Sequence, residues 1–221
     1  CDPSTQGAVL RAESDNTTAI RFTSRNQTRG AWSQILLECL SDTTKLSNVE
    51  VRYAGAGGED AIRIAPGTAG VPVILDSVRV LHSGSRGVLI QNAAKVIVQR
   101  HLAADSNNAE GLKVEARDVS IPKGSFRANG GPAGVNVFER KFTLSNADVS
   151  NNTLGGIWLG ADSATISSSR VARNGTTFIS VGGVGSVITG VAIDTNASHG
   201  VDLAAGPIHF TNNSVRGNGG T

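Results

Sequence analysis

Large apolar side chains recur along the chain with a period near 22 residues, and each recurrence leads to a marker position that is usually asparagine. The clearest markers are separated by 23, 22, 22 and 22 residues and are Asn129, Asn152, Asn174, Asn196 and Asn218. The residues eight and three positions before each marker are apolar and mostly large. The same frame extends upstream to Asp105, Ser83 and Ala54. A fixed period of this length predicts a repeat architecture.

Within each repeat, apolar and polar positions alternate over short stretches, as in Gly156-Ile-Trp-Leu and Gly200-Val-Asp-Leu. Alternation with period two predicts strands, and the repeat contains no helical pattern of about 10–12 residues. One such unit cannot bury its apolar face alone, whereas stacked units can. The sequence therefore predicts an all-β, single-stranded parallel β-solenoid with three-sided coils, about nine of roughly 22 residues each. We expect one domain over residues 1–221, which is either complete or part of a longer protein.

The asparagine column has a structural interpretation and a functional one. Asparagine tolerates left-handed backbone angles at a tight corner better than other residues with a Cβ. Stacked side-chain amides can also hydrogen-bond along the axis as a ladder. We therefore expect the column to be a structural ladder, and the alternative is that its amides bind a ligand.

The repeats resemble those of the right-handed parallel β-helix superfamily, which includes pectate-lyase-like proteins and surface proteins that bind or cleave carbohydrate. A second likeness, to a segment of bacterial exported β-helix proteins, spans Ile20 to Gly55 and includes Leu46-Ser-Asn-Val-Glu-Val-Arg-Tyr-Ala-Gly. The resemblance implies right-handed coils, which also agree with the general preference for right-handed crossovers. It further implies export and polysaccharide ligands. The acidic calcium ligands and the arginine or lysine base of the superfamily's lyases match no set of residues in this sequence.

Composition and charge argue against nucleic-acid-binding and membrane-spanning proteins. Hydrophobic residues make up 39 % of the chain and charged residues 17 %, with a formal net charge of +2. Because the chain has no basic block, the sequence predicts no nucleic acid partner. No run of about 18 apolar residues is present, so the sequence predicts no transmembrane segment. We also expect no cofactor.

Cys1 and Cys39 are the two cysteines, and three interpretations of them stay open. They form a disulfide in an exported protein, or Cys1 is the lipid-bearing first residue of a lipoprotein, or both are free thiols. In each exported case the protein is secreted or attached to the cell surface. Repeat-like sequence at both ends further predicts covalent neighbouring domains or end-to-end self-association.

One outer face is the candidate ligand site. In each strand that reads apolar–x–apolar, the x side chain points outward, and so does the residue two positions later. An exposed pair of aromatic rings beside polar groups would suit a polysaccharide or cell-surface glycan. The alternative is that the aromatics stabilise cross-strand neighbours or are covered by another domain or partner. The candidate glycan-binding residues are Arg63, Lys113, Glu115, Asn136, Phe138, Trp158 and Asp202.

The sequence offers few candidate residues for catalysis and predicts no metal site. Lys113 and Glu115 lie on one strand face and are either an acid–base pair or a solvated ion pair. The four histidines occupy different places in their repeats and predict no metal site. The sequence thus favours a non-catalytic exported module that is glycan-binding or structural at the cell surface. The alternatives are a polysaccharide lyase, hydrolase or epimerase, and a subunit of a fibre or adhesin that assembles end to end.

Overall fold

The computed structural model describes residues 9–15, 18–65, 71–91, 95–176, 179–204 and 206–219. These residues form a parallel β-solenoid in which every strand pairs in parallel with its equivalent in the neighbouring coil. The described residues contain no α-helix and one short 3₁₀ turn at Ala56–Gly58. The predicted all-β solenoid is therefore confirmed. It has about seven turns where nine coils were expected.

Three strand columns run the length of the solenoid, and we call them sides 1, 2 and 3. Side 1 is an eight-stranded sheet made of β3 (Ile35–Leu37), β5 (Ile62–Ile64), β7 (Val88–Gln91), β10 (Leu112–Glu115), β13 (Ala133–Val137), β16 (Gly155–Leu159), β19 (Ile179–Val181) and β22 (Asp202–Leu203).

Sides 2 and 3 form one continuous sheet, because β4 (Thr44–Arg52) and β6 (Pro72–Leu81) run along both. Side 2 also contains β1 (Arg11–Glu13), β8 (Lys95–Val98), β11 (Ser120–Ile121), β14 (Thr143–Ser145), β17 (Thr165–Ser167), β20 (Val187–Thr189) and β23 (His209–Thr211). Side 3 also contains β2 (Ile20–Phe22), β9 (Leu102–Asp105), β12 (Gly124–Arg127), β15 (Ala147–Ser150), β18 (Arg170–Ala172), β21 (Ala192–Asp194) and β24 (Ser214–Arg216).

Inward side chains of successive coils stack into apolar columns that fill the interior. On side 2, Ile121, Leu144, Ile166 and Ile188 are paired coil by coil and are fully buried. Each such side chain contributes about 1.5–3 kcal/mol through removal of its apolar surface from water. The alternation read from the sequence follows from this arrangement, since each strand sends every second side chain into the same core.

The asparagine column lies at the corner between side 3 and side 1 and is buried from Asn129 to Asn196. Each side-chain Oδ1 accepts bonds from the backbone N–H and the Nδ2 of the asparagine one coil earlier, as between Asn152 and Asn174 at 3.1 and 2.9 Å. Each Nδ2 also donates to a backbone carbonyl, as Asn174 does to Val149. All hydrogen-bonding groups of the buried amides are thereby satisfied, which removes the penalty of burying them.

The prediction that the ladder asparagines themselves adopt left-handed backbone angles is wrong by one position. The residue before each ladder asparagine has the left-handed angles, with φ of 55° at Ala128, 57° at Asn151, 53° at Arg173 and 51° at Thr195. The ladder asparagines are therefore selected for their two-sided amides, and tolerance of positive φ is needed one residue earlier.

The predicted frame is also wrong at one upstream coil. The ladder member there is Asn107, whose Nδ2 donates to Oδ1 of Asn129 at 3.0 Å. Asp105 lies two residues earlier at the end of β9, where its carboxylate accepts bonds from Ser125 and Arg127. Ser83 does continue the column, because its backbone N–H donates to Oδ1 of Asn107.

Candidate functional site

The candidate glycan-binding residues lie on the outer face of side 1. Strand pairing aligns Lys113 with Asn136, Asn136 with Trp158, Trp158 with Ser180 and Ser180 with Asp202. The same register continues upstream from Lys113 through Leu89 to Arg63. The x positions of the apolar–x–apolar strands therefore share one axial row, as expected from the period of two.

Two aromatic rings form the exposed part of this face. Phe138 and Trp158 are 46 % and 44 % exposed, and their ring centroids are 6.0 Å apart at an interplanar angle of 51°. Lys113 Nζ lies 5.1 Å from the centroid of the Phe138 ring, within the range of a cation–π contact. The rings thus support each other along the coil axis while keeping outward surface in contact with solvent.

A chain of polar contacts adjoins the rings. Lys113 Nζ lies 2.7 Å from Glu115 Oε1, and Gln91 Nε2 donates to Glu115 Oε2 at 3.2 Å. Arg63 Nε donates to Gln91 Oε1 at 2.9 Å, so Arg63 joins the group across two coils. Sequence reasoning omitted Gln91 from the site, although Gln91 occupies the same outward row as Glu115 one coil earlier.

These contacts fix the charge state of Glu115. Burial by itself would raise the pKa of Glu115, but hydrogen bonds from Lys113 and Gln91 and the charges of Lys113 and Arg86 outweigh burial and lower this pKa. The carboxylate is therefore ionised at neutral pH and offers only hydrogen-bond acceptors. The pair can orient a hydroxyl group between an ammonium and a carboxylate.

Asn136 departs from the expected arrangement, because its side chain is 3 % exposed and cannot form part of an open surface. Its Nδ2 donates to Oε1 of the buried Glu110 at 3.3 Å, and its Oδ1 has no hydrogen-bond partner. Asp202 is exposed but lies two coils beyond Trp158, roughly 9.6 Å at about 4.8 Å per coil. The structure brings together Lys113, Glu115, Phe138 and Trp158, and leaves Asp202 apart.

The outer surface beside Trp158 carries no side chains at two successive positions, and we call it the open floor. The axial row that contains Phe138 continues with Gly160 in the next coil and Gly182 in the coil after that. A Cβ added at Gly182 would meet no atom closer than 3.7 Å, so there is free space above the backbone. A cavity of about 200 Å³ adjoins the Trp158 ring and is lined partly by Ile157, Thr176 and Ser180.

Other predicted features are only partly covered by the described residues. Cys1 lies outside them, so its lipid anchor and its disulfide with Cys39 stay predictions; Cys39 itself is not a free thiol. Within the described ranges, no three histidine, cysteine, aspartate or glutamate side chains are grouped so that they could hold a metal ion. No helix among those residues is long and apolar enough to cross a membrane.

Comparison with known proteins identifies the fold family. No curated protein and no solved structure matches the chain. Residues 35–221 match the family described as right handed beta helix region, which covers 187 of the 221 residues. The match spans side 1 from β3 onward together with the asparagine ladder. The chain therefore belongs to the right-handed β-helix family.

Proposed function

We propose that this protein is a non-catalytic, exported glycan-binding module whose binding surface is the outer face of side 1 around Phe138 and Trp158. The observation that carries the proposal is the exposed aromatic pair on adjacent coils, bordered by the Lys113–Glu115 ion pair. Single exposed apolar residues are ordinary on protein surfaces. Two neighbouring rings with charged and amide groups at their edge form a surface that is apolar at its centre and polar at its rim.

Such a surface suits a sugar ring, which has apolar C–H faces and a hydroxyl-bearing edge. The flat Trp158 ring offers an apolar area of low conformational entropy, and the open floor at Gly160 and Gly182 leaves room for a ring beside it. Lys113 donates hydrogen bonds to hydroxyl oxygens, while the ionised Glu115 accepts bonds from hydroxyl hydrogens. Because Lys113 and Glu115 already hold each other, little side-chain entropy is lost on binding.

The catalytic alternative ranks second. A general acid must carry a proton at working pH, and the lowered pKa of Glu115 disfavours that role. A lyase, hydrolase or epimerase would have to use other groups, and an assay for unsaturated products from uronic-acid polymers tests this directly. Assembly into a fibre or adhesin also stays a proposal, and light scattering at rising protein concentration tests it.

The proposed function is tested by a glycan array followed by calorimetric titration of the best oligosaccharide. Trp158→Ala should weaken binding about thirtyfold, because a central aromatic anchor contributes about 2 kcal/mol. Ile97→Ala is the control, since Ile97 is another exposed apolar residue, 38 % exposed, on side 2. An array without hits, or an oligosaccharide that Trp158→Ala and Phe138→Ala bind as tightly as the parent protein, would contradict the proposal.

A further inference from the structure

Three arginines and one glutamate meet on the outer face of side 3 in the early coils of the solenoid. Strand pairing places Arg21, Glu50 and Arg79 in one row on three successive coils. Arg52 lies two residues after Glu50 on β4 and therefore points to the same face of the sheet. We call these four residues the arginine cluster.

One carboxylate contacts all three guanidinium groups of the cluster. Glu50 Oε1 lies 3.0 Å from Arg21 Nε and 2.8 Å from Arg52 Nε. Glu50 Oε2 accepts a hydrogen bond from Arg79 Nη1 at 3.3 Å. The Glu50 side chain is only 4 % exposed, whereas the three arginine side chains are between 32 % and 64 % exposed. The carboxylate thus lies beneath the arginines, and a molecule that approaches from solvent meets guanidinium groups first.

The cluster carries more positive than negative charge. Burial by itself would raise the pKa of Glu50, but its contact with Arg52 and the charges of the three arginines outweigh burial and lower this pKa. Glu50 is therefore an ionised carboxylate at neutral pH. Among the described residues, no other carboxylate lies within ion-pair distance of Arg21, Arg52 or Arg79. Three positive charges and one negative charge leave a net charge of +2.

The cluster also has more hydrogen-bond donors than it can use internally. Three guanidinium groups offer about fifteen N–H donors, and one carboxylate accepts about four hydrogen bonds at most. The row continues from Arg79 to Ala103 on the next coil, and the methyl group of Ala103 accepts no hydrogen bond. The outer surface of the cluster therefore presents donors and positive charge that its own side chains leave unsatisfied.

We propose that the arginine cluster binds a phosphate group with two negative charges, either as inorganic phosphate or as the monoester of a small molecule. A phosphate monoester has a charge of about −1.5 to −2 at pH 7 and three strong acceptor oxygens, so it matches the excess charge of the cluster. Arginine pairs with phosphate oxygens through two parallel hydrogen bonds. A carboxylate or a phosphate diester carries one charge and would neutralise only half of the excess.

The geometry of the cluster suits one compact anion. Arg21 and Arg79 start two coil steps apart, roughly 9.6 Å at about 4.8 Å per step, and both side chains reach toward Glu50 on the coil between them. Their guanidinium groups are therefore gathered around one point. Because Glu50 already holds them there, little side-chain entropy is lost when an anion binds. Glu50 is thus a positioning residue, and the arginines are the residues that contact the anion.

The binding is tested by phosphorus nuclear magnetic resonance, with the full chain titrated into each probe in a buffer free of phosphate and sulfate. The probes are inorganic phosphate, glycerol phosphate, which is a monoester, and dimethyl phosphate, which is a diester with one charge. We expect the first two signals to shift and broaden and the diester signal to stay unchanged at the same concentration. Added salt should weaken the binding, because the contacts are ionic and exposed.

The first two probes also distinguish the source of the phosphate group. Equal affinities for inorganic phosphate and glycerol phosphate would assign the cluster to the free ion. Tighter binding of glycerol phosphate would assign it to a phosphorylated small molecule.

Variants of matched charge and exposure localise the binding. Arg21→Gln and Arg79→Gln should each weaken phosphate binding about tenfold, through the loss of one charge-assisted contact. Arg117→Gln is the control, because Arg117 is 68 % exposed, close to the 64 % of Arg21, and pairs with a carboxylate of its own at Glu139. Unchanged circular dichroism spectra and melting temperatures verify that the variants are folded.

The proposal is overturned if neither inorganic phosphate nor glycerol phosphate binds the parent protein, or if dimethyl phosphate binds as tightly as they do. It is equally overturned if Arg21→Gln and Arg117→Gln bind phosphate alike. Trp158→Ala should leave phosphate binding unchanged, because the cluster lies on side 3 and the aromatic pair lies on side 1. The inference is therefore independent of the glycan-binding function proposed above.

Discussion

The asparagine ladder and the outer row of side 1 cross the same coils, yet they differ in how strictly they repeat. From Asn107 to Asn218 the ladder keeps one residue type and one set of hydrogen bonds. Over the corresponding coils the outer row changes at every step, from lysine to asparagine, tryptophan, serine and aspartate. Inner positions meet the same surroundings in every coil, so one residue serves all of them. Outer positions are free to differ, and a ligand site is to be sought where the repeat changes.

The largest effect is expected from breaking the ladder at its middle. Asn174→Val removes the acceptor of the Asn152 backbone N–H and leaves the Val149 carbonyl without its amide donor. These groups are buried, so we expect the free energy of unfolding to fall by about 3 kcal/mol. Urea denaturation followed by circular dichroism measures this. An unchanged midpoint would mean that the ladder amides contribute nothing to stability.

The end of the ladder should be less sensitive. Asn218 accepts bonds from Asn196 and donates to the Ile193 carbonyl, but it is only half-buried. Water can replace the lost partners, so Asn218→Val should lower the free energy of unfolding by about 1 kcal/mol. The same urea titration measures it, and a loss equal to that of Asn174→Val would show that burial is not the deciding factor.

Changing pH separates the ladder from the outer surface, because amides do not titrate and histidines do. Burial lowers the pKa of His101 and of His82, so the unfolded chain takes up protons at a higher pH than the folded chain does. Stability should therefore fall as pH decreases through about 6.5 and below. Melting temperatures measured from pH 8 to 5 should show a smaller decrease for His101→Gln than for the parent protein. His199→Gln, at an exposed position, is the control and should keep the parent slope.

The smallest effect is expected on the stability of the outer row itself. Trp158→Ala removes a half-exposed side chain that contacts Phe138 and leaves the ladder and the inward stacks untouched, so the free energy of unfolding should fall by no more than about 1 kcal/mol. Urea denaturation of the variant checks this. A loss of several kcal/mol would show that the aromatic pair has a structural role and would favour the interpretation that its rings serve their cross-strand neighbours.

The sequence predicted the repeat, the alternation and the row that contains Lys113 and Trp158, because these depend only on spacing. The number of turns differs slightly from the count based on spacing, and the early coils are longer, with 29 residues from Ala54 to Ser83 against 22 from Asn152 to Asn174. The burial of Asn136 depends on how neighbouring side chains pack against it, and the spacing of residues along the sequence carries no information about that packing.

A groove outside the corner between sides 2 and 3, lined by residues from His101 to Gly190, could not be found from spacing for a related reason. Its cations, Lys123, Arg127 and Arg170, occupy different positions within their repeats, so they form no recurring motif. They come together because the corner between sides 2 and 3 bends within one residue at Asn146 and Ser168. A concave surface of this kind is a property of the coil's cross-section, and hydrophobic periodicity does not report it.

The most direct test of the central claim is the fluorescence of Trp158 during glycan titration. The chain has two tryptophans, and Trp32→Phe leaves Trp158 as the single tryptophan, which is excited selectively over Tyr53, with the loss of one hydrogen bond from Trp32 to the Arg52 carbonyl. For an oligosaccharide selected on the array, we predict a blue shift of emission and protection from acrylamide quenching, with the affinity measured by calorimetry. Binding by calorimetry with unchanged emission and quenching of Trp158 would contradict the claim that the variable face of side 1 is the glycan site.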